Sequence, residues 1–301
     1  MQKISLPPTI WAGHRLDWGR QTYLMGIVNI TPDSFAGDGL LRDARLDALV
    51  ERALAQATRF VREGATILDI GGESTRPGSQ PITVEQELAR VLPVIKALRA
   101  TLPPNIILSI DTYKADVAEQ ALAAGASMIN DIWGLRYDAR MAAVAREYGV
   151  PVVLMANMRP LSGGESPRRY AIVSDIVRLL SVCIERALTA GIAWEHIIID
   201  PGIGFGIGPD ENLTILRRLH ELQVLERPIL LGASRKSTIG LVLGGLPAAE
   251  RLEGTAATVA LGIVHGADIV RVHDVHEMAR VVKMSDAIVR GTYTLTYPQE
   301  Q

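Results

Sequence analysis

Three polar residues that close apolar runs are the first sign of chemistry: Asp111 in "NIILSIDT", Asn130 in "SMINDI" and Asp200 in "HIIIDPG". Two carboxylates and an amide, brought together, can accept and donate hydrogen bonds along the edge of a flat, nitrogen-rich heterocycle. A second set is cationic: Arg271 and His273 in "ADIVRVHD", and Arg76 beside Thr75 in "LDIGGESTRPGS". With Asn29 in "YLMGIVNI", these suit phosphate oxygens or a magnesium ion, because guanidinium groups fork onto phosphate and magnesium takes oxygen ligands. "GASRKSTIG" adds Ser234, Arg235, Lys236 and Ser237. Read alone it is equally a polar turn whose serines cap a helix; its place on the same rim favours ligand contact for Lys236 and Ser237. "PGIGFGIG" spaces glycines loosely like a dinucleotide loop but lacks the strand-turn-helix setting, so we expect a permissive backbone and a wall, with Phe205 able to stack on a ring.

Those groups need a scaffold that gathers them. Continuous apolar runs recur at even intervals: "YLMGIVNI", "TILDIG", "NIILSIDT", "SMINDI", "VPVVLMAN", "HIIIDPG", "PILLGAS" and "ADIVRVHD". Runs without alternation suit parallel strands covered on both faces. Helical spacing lies between them. Leu46 to Val61 repeats at i, i+3, i+4, i+7 and ends at Gly64, a C-cap residue; Thr83 with Gln86 spells a capping box; Pro93 should kink the helix that follows; Asn212 can cap a later one.

Eight strand–helix units admit a closed (β/α)8 TIM barrel or an open doubly wound sheet; about 270 residues for the eight fit the barrel better. The expected organisation is a single barrel over residues 22–301, with residues 1–21 as a short extension covering its bottom. Every candidate group, Asn29, Asp33 and Asp69 included, follows or ends a strand, and in this topology those ends meet on one face. Singly, each has a plain structural reading: an Asp after a strand caps the next helix, and a lone His is more often a satisfied buried one. Eight strands placing such groups at the same end define a site.

Composition excludes other classes. The chain has 301 residues, 48% hydrophobic and 21% charged, with a formal net charge of -2. That is a soluble globular composition with no bulk charge for nucleic acid or a polybasic membrane surface. Cys183, the only cysteine, allows no intrachain disulfide and falls among helix-like apolar residues as a small hydrophobe. The N-terminal residues lack the apolar core of a signal peptide, and no apolar run approaches the roughly 18 residues of a membrane span, so a cytoplasmic protein is expected.

"MGIVNITPDSF", "DIGGESTRPG", "SIDTYK", "INDI", "DPGIGFG", "GASRKSTIG" and "RVHDV", in this order, resemble dihydropteroate synthases over residues 22–290. The resemblance implies a magnesium-using (β/α)8 transferase of folate biosynthesis, in a sulfonamide target class. Such an enzyme joins 6-hydroxymethyl-7,8-dihydropterin diphosphate to p-aminobenzoate and releases pyrophosphate. It implies that Asp111, Asn130, Asp200 and Lys236 bind the pterin and that Asn29 serves the magnesium. Thr75, Arg76, Arg271 and His273 would hold the diphosphate, and Ser237 would lie near the aminobenzoate carboxylate. Loops "NITPDSF" and "STRPG" would close over the site, and a homodimer is implied. The family commonly shows Met-His-Met after strand 5, where Met155 to Pro160 read "MANMRP"; a lysine is frequent where Ile207 and Gly208 stand; Tyr113 replaces a small residue. A methyltransferase acting on methyltetrahydrofolate and a corrinoid protein shares the barrel and the acids but does not need "STRPGS", "SRKS" and "RVHD". A non-catalytic pterin-binding paralogue is the other alternative.

Overall fold

The computed structural model describes residues 6–31, 42–74, 79–161 and 171–295. An antiparallel hairpin, β1 (Thr9–Trp11) and β2 (His14–Leu16), precedes the main repeat. The repeat runs β3 (Tyr23–Asn29), α1 (Arg42–Arg62), β4 (Ile67–Gly71), α2 (Val84–Thr101), β5 (Ile107–Asp111), α3 (Ala115–Ala123), β6 (Met128–Asp131) and α4 (Met141–Tyr148). It continues through β7 (Val152–Met155), α5 (Ile172–Thr189), β8 (Ile197–Asp200), α6 (Pro209–Arg217), β9 (Leu230–Leu231), α7 (Ser237–Val242), α8 (Leu252–Val264), β10 (Ile269–Val272) and α9 (Val275–Arg290).

β3 to β10 form one eight-stranded parallel sheet in the order β8-β7-β6-β5-β4-β3-β10-β9. A parallel bridge between Ile199 and Ile229, with the Ile199 N–H 2.9 Å from the Pro228 carbonyl, brings β8 to β9 and closes the ring. The open-sheet alternative is thereby excluded. β4, β6, β7 and β8 are buried along their whole lengths, as continuous apolar runs covered on both faces must be.

Local signals set several boundaries. Gly64 at φ +109° ends α1, with the Ala65 N–H on the Phe60 carbonyl at 2.9 Å, a Schellman closure. Thr83 and Gln86 exchange the two bonds of a capping box at 3.2 and 3.0 Å. α2 then runs through Pro93 to Thr101, so the missing donor does not end the helix. Asn212 departs from expectation. Pro209, with φ already helical, starts α6 three residues earlier, and Gly208 is the N-cap with its N–H 2.9 Å from the Glu211 carboxylate. Asn212 is buried instead, accepting from the Gly204 N–H at 2.9 Å and donating to Thr238 Oγ1 at 2.9 Å. It stitches the loop after β8 to α7.

The hairpin lies against strand starts. The Trp11 indole N–H donates to the Ser127 carbonyl ahead of β6 at 2.6 Å, and the Thr9 hydroxyl to the Glu195 carbonyl ahead of β8 at 2.5 Å. Cys183 is buried in α5, and burial pushes its thiol up to about 11.

Candidate active site

Strand register sets the upper rim. Asn29 lies level with Gly71, Gly71 with Asp111 and Asp111 with Asn130, so three consecutive strands end at one height and β6 runs one residue further. One inward step deeper, Asp69 is level with Ser109. On the far side Asp200 pairs with Met155 at the end of β8. The double glycine that follows β4 has a packing reason: a Cβ on Gly72 would stand 2.8 Å from Val91 and 3.0 Å from Glu87 on α2.

The centre of the rim is ionic. The Arg271 guanidinium donates to Asp69 at 2.6 Å and to Asp111 at 2.7 Å, and the Asn130 amide donates to the same Asp69 oxygen at 2.8 Å. Asp69 is completely buried. Burial pushes the Asp111 carboxyl up to about 7, against the pull of Arg271 and reinforced by Asp69. The acidic and the cationic sets meet here, since Arg271 of the cationic set is bonded to Asp69 and Asp111. Its charge is what lets the buried Asp69 and the half-buried Asp111 stand so close. Asp69 Oδ1 and Ser109 Oγ have no hydrogen-bond partner among the described residues. Such an open buried polar atom costs about 1–3 kcal/mol, a cost that persists where a ligand can satisfy it.

A second group faces it. Asp200 accepts from the Gly202 N–H at 2.7 Å, and burial raises its carboxyl to about 6. Burial and then Arg271 bring the Lys236 ammonium down to about 8, opposed by Asp200 and Asp111. Phe205 supplies the wall: Lys236 lies 4.3 Å and the Arg159 guanidinium 4.9 Å from its ring centroid. The glycines of this loop are needed. Gly202 has φ +74°, and a Cβ there would lie 2.3 Å from the Ala156 carbonyl oxygen.

His273 is held by Ser234, whose Oγ lies 3.0 Å from its Nδ1. Arg235 is committed to Asp274, with Nε at 2.9 Å from a carboxylate oxygen, so it turns away from the mouth. Neither serine of this turn caps α7; Lys236 is the N-cap residue and Ser237, the first helical residue, is exposed. Asn29 is half-buried on the rim. Asn157 is buried and accepts from Arg136 through its carbonyl at 2.6 Å. Thr75 and Arg76, with Asp33, lie outside the described residues.

Sequence reasoning placed Asp69 and Ser234 on the rim without giving either a partner, and it passed over Arg159. An acid inside the apolar run "ILDIG" was the available signal for Asp69. Arg159 falls in the altered segment after β7, where no pattern marked it.

A closed (β/α)8 barrel whose strand ends hold the raised carboxyls of Asp111 and Asp200, the lowered ammonium of Lys236 and a half-buried arginine is built as an enzyme of polar ring and phosphate chemistry. The pterin binding enzyme family matches residues 25–273, and the chain belongs to it. Dihydropteroate synthase of Clostridium beijerinckii is 48% identical over 90% of this chain and 96% of its own length. That of Bacillus subtilis is 46% identical over 91% of both. Among solved structures, the Clostridium difficile dihydropteroate synthase determined with pteroic acid superimposes with a TM-score of 0.84 at 47% identity, covering 91% of this chain and 99% of that one. The Xanthomonas albilineans enzyme with 4-aminobenzoic acid gives a TM-score of 0.84 at 39% identity over 94% and 98%.

Proposed function

We propose that this chain is a dihydropteroate synthase, condensing 6-hydroxymethyl-7,8-dihydropterin diphosphate with p-aminobenzoate to give 7,8-dihydropteroate and pyrophosphate. One observation carries the reading: Arg271 bonded to both Asp69 and Asp111, with Asn130 on the same Asp69 oxygen, at the mouth of a pterin-binding-family barrel. Relatives at 40% to 48% identity bear the synthase name, which favours it over the methyltransferase.

In this reading Asp111, Asn130, Asp200 and Lys236 take the polar edge of the pterin, with Asp69 beneath them. The pterin methylene C–O bond breaks, its electron pair leaves with pyrophosphate, and the aniline nitrogen forms the new C–N bond and loses a proton. Asp111 and Asp200 face the positive charge that builds on the pterin. Arg271 and His273 face the negative charge that builds on the leaving group, and such preorganised electrostatic stabilisation usually contributes more to the rate than any other effect. Thr75 and Arg76 would add to that grip. Phe205 walls the ring, and Ser237 at the start of α7 would meet the aminobenzoate carboxylate. Holding both substrates in line supplies the remainder.

Magnesium fits one way. Among the described residues no group of three or more His, Cys, Asp or Glu side chains is placed to hold a metal ion. An ion would instead be held by Asn29 together with substrate phosphates, as magnesium usually is. When bound it would neutralise the leaving diphosphate.

We also propose a homodimer. Leu261 and Val264 on α8, with Met284 and Ile288 on α9, are exposed apolar residues on two helices that pack together, and a second copy would cover them. Light scattering of the eluting protein tests this; a monomer at working concentration removes it. Among the described residues no helix is long and apolar enough to cross a membrane, and a cytoplasmic location completes the reading.

The deciding experiment supplies purified protein with the pterin diphosphate, p-aminobenzoate and magnesium, and monitors pyrophosphate. Steady release supports the synthase. Binding without turnover identifies a paralogue, and binding of methyltetrahydrofolate identifies the methyltransferase.

A further inference from the structure

Glu73 stands two residues before Thr75, yet both its carboxylate oxygens are already taken. Oε1 accepts from the Tyr113 hydroxyl at 2.5 Å; Oε2 accepts from the Lys114 ammonium at 2.6 Å and from the Ile82 N–H at 3.3 Å. Lys114 donates in turn to Glu87 at 2.6 Å and to the Ile82 carbonyl at 2.8 Å. The cluster is nearly dry, with side-chain exposures of 10% for Glu73, 11% for Lys114 and 1% for Glu87. It ties three segments together: the turn after β4, the turn after β5 and the entry to α2.

Tyr113 connects this cluster to the rim. Its ring packs in a buried apolar group with Ile132, Met155 and Phe205, and lies edge-on to Tyr137 with centroids 4.5 Å apart. Asp111, the partner of Arg271, is two residues before it in the same turn. A buried carboxylate accepting charged and neutral donors is expensive to disturb and correspondingly stiff.

We propose that Glu73 and Tyr113 are positioning residues for the reaction. The Tyr113–Glu73–Lys114–Glu87 cluster fixes the turn after β5 and so holds the Asp111 carboxylate and the Phe205 wall in the geometry the pterin needs. The inference rests on the reading of Asp111 as a pterin ligand. Functional groups must sit within about 0.5 Å of productive geometry, so releasing one tether is felt in binding of the substrate they face.

The test is steady-state kinetics on Tyr113→Phe, which keeps the ring and removes only the donor, beside Glu73→Gln, which keeps an acceptor for Tyr113. For Tyr113→Phe the KM for the pterin diphosphate is expected to rise about tenfold, equivalent to about 1.4 kcal/mol, while the KM for p-aminobenzoate stays unchanged. Glu73→Gln should raise the pterin KM less. Both KM values rising in equal proportion with a lowered Tm would mark a purely structural cluster and overturn the proposal. So would a pterin KM within about twofold of the parent. A parent protein that releases no pyrophosphate removes the synthase reading itself, a different failure.

Discussion

Two arginines, one at each end of this barrel, are held in opposite ways. At the lower end Arg227 stacks on the Trp194 ring, centroid at 3.6 Å, and donates to the Trp194 carbonyl; no carboxylate touches it among the described residues. Around it the hairpin packs Trp11, Leu16 and Trp18 against strand starts. At the upper end Arg271 sits between Asp69 and Asp111, with a third acid and an ammonium nearby. Among the described residues both ends leave polar atoms without partners, His14 Nδ1, Thr66 Oγ1, Ser127 Oγ and Arg227 Nε below against Asp69 Oδ1, Ser109 Oγ and Asn157 Nδ2 above. The difference is therefore charge rather than satisfaction. The lower end shields Arg227 with a ring and seals Arg290 on Asp286 in a separate buried pair; the upper end crowds its ions until the protonation of Asp111, Asp200 and Lys236 moves toward neutral pH.

The comparison can be broken at either end. The largest effect is expected from Arg271→Ala, which strands the Asp69 and Asp111 carboxylates without their guanidinium partner: kcat for pyrophosphate release should fall about a thousandfold, and an unchanged kcat would move the reaction away from this rim. Next, Trp11→Ala should cost about 3 kcal/mol in urea unfolding while leaving both KM values alone. A change in KM there would mean that the two ends are not separate in function. Asp200→Asn should raise the pterin KM about tenfold, because a charged acceptor is lost. It should also increase stability at neutral pH. The sign follows from the raised carboxyl: its contribution to stability is full below the ordinary carboxylate range and is lost as pH rises through about 6. The neutral amide escapes that loss, and a lower Tm for Asp200→Asn at pH 7.5 or so would contradict the burial argument. The gentlest effect is the pH profile. kcat/KM for the pterin substrate should decline as Asp111 and then Asp200 take protons below about 7 and about 6, and as Lys236 gives one up above about 8. A profile flat across both limbs would show that none of these groups titrates in the free enzyme.

Much of this architecture is readable from the chain because strands covered on both faces must be continuously apolar, and because parallel topology sends every strand end to one rim. Asp111, Asn130, Asp200, Lys236 and Arg271 are legible on that ground alone. The pairing of Arg271 with Asp69 is not, since 202 residues separate them and only closure of the ring brings them together. Nor is the bond from the Asn130 amide to the same Asp69 oxygen, although Asp69 itself falls on the predicted rim. "PILLGAS" reads as a full strand, but only Leu230 and Leu231 pair as one, because the segment turns early toward α7. Asn212 reads as a cap because its type favours caps, while Pro209 holds the stronger claim to the helix start.

That short β9 has a consequence. Neighbouring strands are zipped together around the ring except where β8 meets β9, and there a single bridge buttons it. Asp200 stands on one side of that button and Lys236 on the other. Any breathing of the seam changes the separation of an acid and an ammonium whose charges depend on each other, so the barrel's weakest join is also where thermal motion reaches its protonation state.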